Sequence, residues 1–452
     1  MQSTNKRVEW AKTNTQCPMF DLGLFIRLEY DKDTHKMSNV PVVTPCCTID
    51  NALYTLPVEK LRNEDLFADL KTQFGPGTFP PACHHCEKLE KTGGASERVR
   101  NIIEKFTDDE FDNYLKVGGT HPHFQIQVKF SNVCNMACRV CNSTESTTYG
   151  LITNTSVGNS GDISDNEEQW NALLVQINQI ITKQYIRNVG NTHNNAIIIN
   201  TVGGETMLNP GFYKLVDWLC KNNLANKVKL KITTALAVRF SDELLSQFAK
   251  FNKVYVNASL DSTHENFYYV RWPSKWSKIE ENIDTLVKYK QQHNNLYFYV
   301  TPNWSINNIF YIEDFLDYWA DHPLVDGIFN YHLYRPSRLK VESLPVEYRK
   351  NLILLLENCL THQLFAKIKN STTMYTFIQS ILDYFKNNQD DSGTFDEFFR
   401  FNAGFDVRTK TKLDEYNSRL YELLSTEDIE KYNSYYQYHQ TTGKTEALKW
   451  YD

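Results

Sequence analysis

Apolar and polar residues alternate along Phe124-Gln125-Ile126-Gln127-Val128-Lys129-Phe130, the period of a half-buried strand. Five further stretches read as strands: Ala196–Val202, Val228–Thr234, Val254–Leu260, Leu296–Thr301 and Gly327–Tyr334. Between them apolar residues recur at the helical period, over Asn166–Gln184, Gly211–Asn222, Ser241–Phe251, Trp276–Gln291 and Ile309–Trp319. Strand and helix thus alternate through residues 120–340. This predicts an α/β class with a parallel sheet or barrel. In a barrel of that kind the functional groups gather at the C-terminal ends of the strands.

The flanks read differently. In residues 1–119, Leu24–Tyr30 and Val40–Cys47 surround a polar turn and predict a hairpin. An amphipathic helix is expected over Leu61–Gln73, ended by Phe74-Gly75-Pro76-Gly77. Residues 341–452 predict helices, with leucine spacing in Leu344–Leu360, a second helix over Tyr375–Phe385 and a polar break at Asn387–Thr394. The polar stretch Asn154–Asp162 carries two glycines and is expected to be a mobile insert, a candidate lid. Three regions follow: 1–119, 120–340 and 341–452.

Composition narrows the function classes. A net charge of -6 gives no electrostatic case for nucleic-acid binding. No run of about 18 apolar residues occurs, so no membrane-spanning helix is expected. Met1-Gln2-Ser3-Thr4-Asn5-Lys6-Arg7 lacks the apolar core of a signal peptide. The clustered cysteines among the ten are therefore expected to ligate metal in a reducing cytoplasm rather than to form disulfides, while Cys220 and Cys359, on apolar helix patterns, read as buried packing residues. Abundant Asn, Tyr, Lys and Ile point to an AT-rich genome, viral or bacterial, and a phage protein would work in its host's cytoplasm.

Cys134, Cys138 and Cys141 form C-x3-C-x2-C just after the first barrel strand. Three cysteines so close cannot cross-link one another without strain, but they can converge on one metal centre. Zinc and an iron–sulfur cluster both fit thiolate ligands. Farther on, Gly203-Gly204-Glu205 ends the second strand, Thr234-Ala235 the third and Ser259-Leu260-Asp261 the fourth, with Arg271 beyond. In the first region Cys17-Pro18-Met19-Phe20, Pro45-Cys46-Cys47 and Cys83-His84-His85-Cys86 precede Glu90, Gly94, Ser96 and Arg98.

C-x3-C-x2-C after the first strand, with Gly-Gly-Glu and Ser-Leu-Asp in register behind it, resembles the radical S-adenosylmethionine (SAM) enzymes. The resemblance implies a partial (β/α)6 TIM-like barrel. It also implies a 4Fe–4S cluster on Cys134, Cys138 and Cys141, with SAM chelating the fourth iron. Gly203, Gly204, Glu205, Thr234, Ser259 and Arg271 then fall to SAM, Arg271 by pairing with its carboxylate. Val140 stands where the family often has an aromatic residue, and Ala235 where relatives often have Asn. The first region resembles the twitch-type, SPASM-like modules. That implies an auxiliary site on Cys17, Cys46 or Cys47, Cys83 and Cys86, filled by an iron–sulfur cluster or by zinc. Cys46 is preferred, because neighbours on a strand point to opposite faces. Lys412–Leu424, with Asp406-Val407-Arg408 nearby, resembles the closing helix of that family; a helical cap without chemistry is the alternative. The implied reaction is reductive cleavage of SAM to a 5′-deoxyadenosyl radical, which takes hydrogen from a peptide, protein or small-molecule substrate. An electron donor such as flavodoxin or ferredoxin is implied as partner. Two other readings stay open: a radical SAM enzyme of small metabolites or nucleosides with structural zinc, and a non-catalytic metal scaffold.

Overall fold

The computed structural model describes residues 3–31, 36–49, 56–57, 67–91, 96–106, 108–117, 125–159, 161–187, 197–330, 333, 335–368, 370–388 and 393–444. Its strands in chain order are β1 (Gly23–Asp31), β2 (Lys36–Thr44), β3 (Leu56–Pro57), β4 (Gln125–Lys129), β5 (Ala137–Cys138) and β6 (Ile197–Val202). β7 (Val228–Thr234), β8 (Lys253–Ala258), β9 (Arg271–Trp272), β10 (Leu296–Val300) and β11 (Val325–Ile328) complete them. One sheet runs β11-β10-β8-β7-β6-β4-β1-β2-β3, and β5 with β9 makes a separate two-stranded ribbon.

The six strands from β4 to β11 lie side by side in chain order and all run parallel. Helices Glu167–Arg187, Pro210–Lys221, Asp242–Phe248, Trp276–Gln292 and Ile312–Ala320 link them. Right-handed crossovers put these helices on one face, which leaves the other face concave. The expected α/β partial barrel is what the chain forms, and the sheet stays open. Alternation within each strand serves both faces. Ile126 and Val128 on β4, Leu230 and Ile232 on β7, and Phe298 and Val300 on β10 are fully buried in the core that the helices share. Burying each such side chain is worth about 1.5–3 kcal/mol. The alternate positions are polar on β4 (Gln125, Gln127, Lys129) and β7 (Lys229, Lys231, Thr233), whereas β6 places Ile198 and Val202 there on either side of Asn200.

The N-terminal hairpin is not set apart from the barrel. β1 pairs in parallel with β4, Ile26 opposite Val128, and β2 pairs antiparallel with β1. Leu24, Ile26 and Leu28 join the core of the barrel itself. A second, smaller core gathers Ala11, Ile102, Phe106, Phe111 and Tyr114. Of the expected helix over residues 61–73, Ala68–Lys71 is helical and residues 61–66 lie outside the described part. Phe124, Ala196 and Tyr334, the ends of three expected strands, lie outside it too.

The C-terminal region is helical, with long helices Val346–Cys359, Thr372–Asn387, Phe395–Thr409 and Thr426–Thr442. The single helix expected over Lys412–Leu424 is instead two short ones, Leu413–Tyr416 and Ser418–Tyr421, separated at Asn417. Within the stretch expected as a mobile insert, two residues bond to the barrel, and Ser160 lies outside the described residues. Asn132 Nδ2 donates to Gly158 O at 3.0 Å, and buried Asp162 accepts from Gly211 N at 3.1 Å. Among the described residues no helix is long and apolar enough to cross a membrane.

Candidate functional site

The cysteine loop leaves β4 at the C-terminal end of the parallel strands and is held along most of its length. Thr148 Oγ1 donates to Cys134 O at 2.6 Å, and Ser146 Oγ donates to Met136 O at 2.6 Å. The same Ser146 oxygen caps helix Thr147–Thr153 by accepting from Tyr149 N. Cys141 N closes a turn onto Cys138 O at 2.9 Å. The β5–β9 ribbon sets Cys138 opposite Arg271 and Ala137 opposite Trp272. Helix His264–Val270 and β9, which deliver Arg271, have no sequence expectation behind them, because Arg271-Trp272 is too short a strand to show a period.

Burial pushes all three thiols upward in pKa. For Cys134, raised to about 12, the thiolate of Cys138 and the Glu205 carboxylate add to the rise. Cys141 is raised well above the ordinary thiol by burial and by Cys138 and Cys134. At Cys138 burial again leads, but Arg271 opposes it, with Nη1 3.6 Å from the sulfur. Cys138 opposes the ionisation of Cys134, and both oppose that of Cys141; thiols so placed suit one shared metal centre, whose positive charge reverses that opposition. The donor set therefore fits a cluster with three protein ligands. Val140, before the last cysteine, is half-buried against the core.

Arg271 is not free to serve a ligand's carboxylate. Its Nε and Nη2 grip Asp261 at 2.7 and 2.9 Å, and both side chains are buried. Asp261 Oδ1 also accepts from Asn303 N at 2.8 Å. Asp261 is thus the partner that aims Arg271 at Cys138. The Ser-Leu-Asp element positions the cluster loop from below, and Ser259, half-exposed beside it, donates its backbone N–H to Thr234 O.

Glu205 is fully engaged as well. One carboxylate oxygen accepts from Met207 N at 3.3 Å, the other from Ala235 N at 2.9 Å, and the Thr234 hydroxyl bonds to the same group. Burial raises its pKa, and these hydrogen bonds work against the rise. It therefore ties the end of β6 to the end of β7. Gly203 and Gly204 have φ of 98° and 52°. A Cβ on Gly204 would stand 2.0 Å from Val133 O, so the close approach that demands glycine is to the cysteine loop. Glu205 N donates to that same Val133 O at 2.9 Å. The resemblance assigns Gly204 to SAM; the group that crowds it in the structure is Val133 O of the cysteine loop. Gly204→Val is accordingly expected to lower iron content together with SAM affinity. The left-handed backbone alone costs about 1–3 kcal/mol for such a residue. Iron per chain and SAM binding, measured side by side, check this; normal iron with weakened SAM binding would return the glycine to the ligand.

One residue inside the loop escaped the sequence reading altogether. Arg139 is completely buried. It stacks on Tyr269 with 3.6 Å from guanidinium carbon to ring centroid, and donates to Tyr269 O and Asn402 Oδ1, both at 2.8 Å. It also pairs with buried Asp406, which accepts from Thr411 and Tyr432 hydroxyls, each at 2.7 Å. The signal was present as Asp406-Val407-Arg408, but nothing local says that its partner lies in the cysteine loop. Arg408 reaches the same neighbourhood, donating to Ile152 O.

The N-terminal thiols Cys17, Cys46, Cys83 and Cys86 line one narrow cavity of about 20 Å³. Burial leads the rise in pKa of Cys17, Cys46 and Cys83, reinforced by neighbouring thiolates. Thr48 Oγ1 sits between Cys46 Sγ (3.5 Å) and Cys86 Sγ (3.9 Å). Among the described residues no three His, Cys, Asp or Glu side chains already stand in coordinating positions; the thiols form walls. Cys47 is exposed and does not line this cavity. His84 and His85 begin helix His84–Lys91 and are exposed. Gly94 lies outside the described residues, but Glu90, Ser96 and Arg98 form a cradle. Arg98 grips Glu90 through two nitrogens, at 3.0 and 2.5 Å, and donates to Gln16 O at 3.1 Å, next to Cys17.

Comparison with known proteins adds a family. Residues 128–309, less than half the chain, match the model of the radical SAM superfamily. No curated protein matches. Among solved structures, native anSMEcpe with bound AdoMet is 16% identical with a TM-score of 0.39, over 57% of this chain and 66% of that one. SuiB of Streptococcus suis bound to precursor peptide SuiA is 11% identical with a TM-score of 0.37, over 82% and 76%. The methyltransferase TsrM of Kitasatospora setae is 9% identical with a TM-score of 0.34, over 48% and 35%. The chain spans just under two thirds of the first of these.

Proposed function

We propose, from the match of residues 128–309 to the radical SAM superfamily, a radical SAM enzyme whose cluster is held by Cys134, Cys138 and Cys141. The observation that carries the proposal is the meeting of these thiols with Arg271 and the Gly203-Gly204-Glu205 turn at the C-terminal ends of the strands. When bound, the 4Fe–4S cluster and SAM supply reductive cleavage to a 5′-deoxyadenosyl radical, which takes hydrogen from a peptide, protein or other substrate. The chain's own residues hold, orient and shield. Arg271, aimed by Asp261, sets a positive charge against the Cys138 sulfur. Glu205 fixes the strand ends beside which Thr234 and Ser259 contact SAM. The helices that bury Arg139 keep water from the back of the loop. Cys17, Cys46, Cys83 and Cys86 hold an auxiliary iron–sulfur cluster, or zinc, in the region 1–119. Residues 120–340 form the barrel and 341–452 its helical support. Flavodoxin or ferredoxin is the fitting class of electron donor.

Anaerobic reconstitution with iron and sulfide tests this. The protein should bind about four irons at the barrel site and, with a strong reductant, release 5′-deoxyadenosine from SAM. A reconstituted, folded protein that cleaves no SAM overturns the proposal.

A further inference from the structure

We propose that Arg271, aimed by Asp261, sets the reduction potential of the barrel cluster through the Cys138 sulfur. This deepens the radical SAM reading and rests on it, since it concerns the cluster of that same site.

The geometry comes first. Helix His264–Val270 ends at Arg271, and the β5–β9 ribbon sets that residue directly opposite Cys138. Arg271 and Asp261 are 7% and 1% exposed. A guanidinium is a rigid planar fork with two edges that suit a carboxylate. The Nε–Nη2 edge is taken by Asp261, at 2.7 and 2.9 Å. The other edge ends at Nη1, which stands 3.6 Å from Cys138 Sγ. Asp261 cannot swing away to release the fork. Its Oδ1 also accepts from Asn303 N at 2.8 Å, and its backbone O accepts from Asn308 Nδ2 at 2.6 Å. Asp261 is thus a positioning residue, and Arg271 is the group that touches a cluster ligand.

Stability does not explain the pair. A buried ion pair contributes little net stability once the desolvation of both charges is counted. Its place against one ligand sulfur gives it another role. Of the charges that act on Cys138, Arg271 acts most strongly, ahead of Asp261 and Glu205, which oppose it. Cys134 has Glu205 near it and Cys141 has Glu145. The surroundings of the three sulfurs are therefore uneven, and a cation meets Cys138 at contact distance. Reduction adds one negative charge to a cluster. Hydrogen bonds and positive charge at the ligand sulfurs favour that step, the more so where water is excluded.

The test is a redox titration of the anaerobically reconstituted full chain, without SAM, followed by electron paramagnetic resonance. The barrel cluster's signal is the one missing when Cys134, Cys138 and Cys141 are all alanine. Arg271→Met should shift the reduction equilibrium about tenfold toward the oxidised form, a midpoint about 59 mV lower for one electron. Arg271→Gln keeps a donor without the charge and should lower the midpoint too. SAM affinity is measured separately on each variant. A lower midpoint in either variant that keeps its iron supports the proposal. An unmoved or higher midpoint in the variants that keep iron overturns it, and weakened SAM binding beside an unmoved midpoint gives Arg271 to the SAM carboxylate instead. Loss of iron from both variants makes Arg271 a prop for the loop and overturns it as well. Iron uptake and SAM cleavage by the wild type test the radical SAM reading alone, so the two failures are distinct.

Discussion

With Cys134, Cys138 and Cys141 all changed to alanine, SAM cleavage is expected to fall to the level of a protein-free control. The three sulfurs are the only thiols on the loop that β5 and β9 hold at the barrel mouth, and no nearby side chain replaces them. The fold should survive, because the loop's backbone is tied by Ser146, Thr148 and the ribbon rather than by the sulfurs. The same variant isolates the N-terminal thiols. Iron with sulfide remaining on it supports an auxiliary cluster, and zinc alone a structural site. No metal, with Cys17, Cys46, Cys83 and Cys86 freely alkylated, removes that site. Cleavage that persists in the triple variant ends the assignment of the barrel site.

Asp406→Ala is expected to destabilise the protein by about 3–5 kcal/mol, the cost of leaving a buried charge without its partner. Arg139 has no route to water, and the hydroxyls of Thr411 and Tyr432 lose their acceptor together with it. Arg139→Met should cost a similar amount, whereas Arg139→Met with Asp406→Leu should cost less than the two singles summed, since the charges leave together. Urea unfolding gives the energies, and iron per chain reports whether the loop keeps its shape. Single variants within about 0.5 kcal/mol of the wild type would mean that the pair is not what holds the loop to the C-terminal helices.

Much of the barrel was legible because its signal is local. Val228–Thr234 is a strand with the bounds its alternation gives, and Trp276–Gln292 departs from the expected helix by one residue. The cysteine triad was legible for the same reason, since its spacing is its chemistry. The contacts were less so. Arg271 reads as a ligand for a carboxylate, and it does grip one, but the carboxylate is Asp261 of the same chain. Gly204 is assigned to SAM by resemblance, yet the group that crowds it is Val133 O of the same chain. In both cases residue type specifies the kind of partner and not which partner. The N-terminal hairpin was found from its turn and alternation, but its seat beside β4 depends on pairing across about a hundred residues, which no local pattern carries. Lys412–Leu424, expected as one helix by resemblance to the family, splits at the completely buried Asn417.

The partners of Arg139 also bear on when the site can be completed during synthesis. Arg139 and Asp406 are separated by 267 positions. A ribosome adds about 5–20 residues per second, so the loop's three thiols leave the exit tunnel well over ten seconds before the carboxylate that fixes it. The strands around the loop are able to pair in that interval, because they come from residues already made. The loop itself stays open on its C-terminal side until helix Phe395–Thr409 arrives. Delivery of metal to a nascent chain would therefore meet an unlocked loop, and delivery after release a locked one. Closure of the loop thus waits on a helix made long after the three thiols it helps to place.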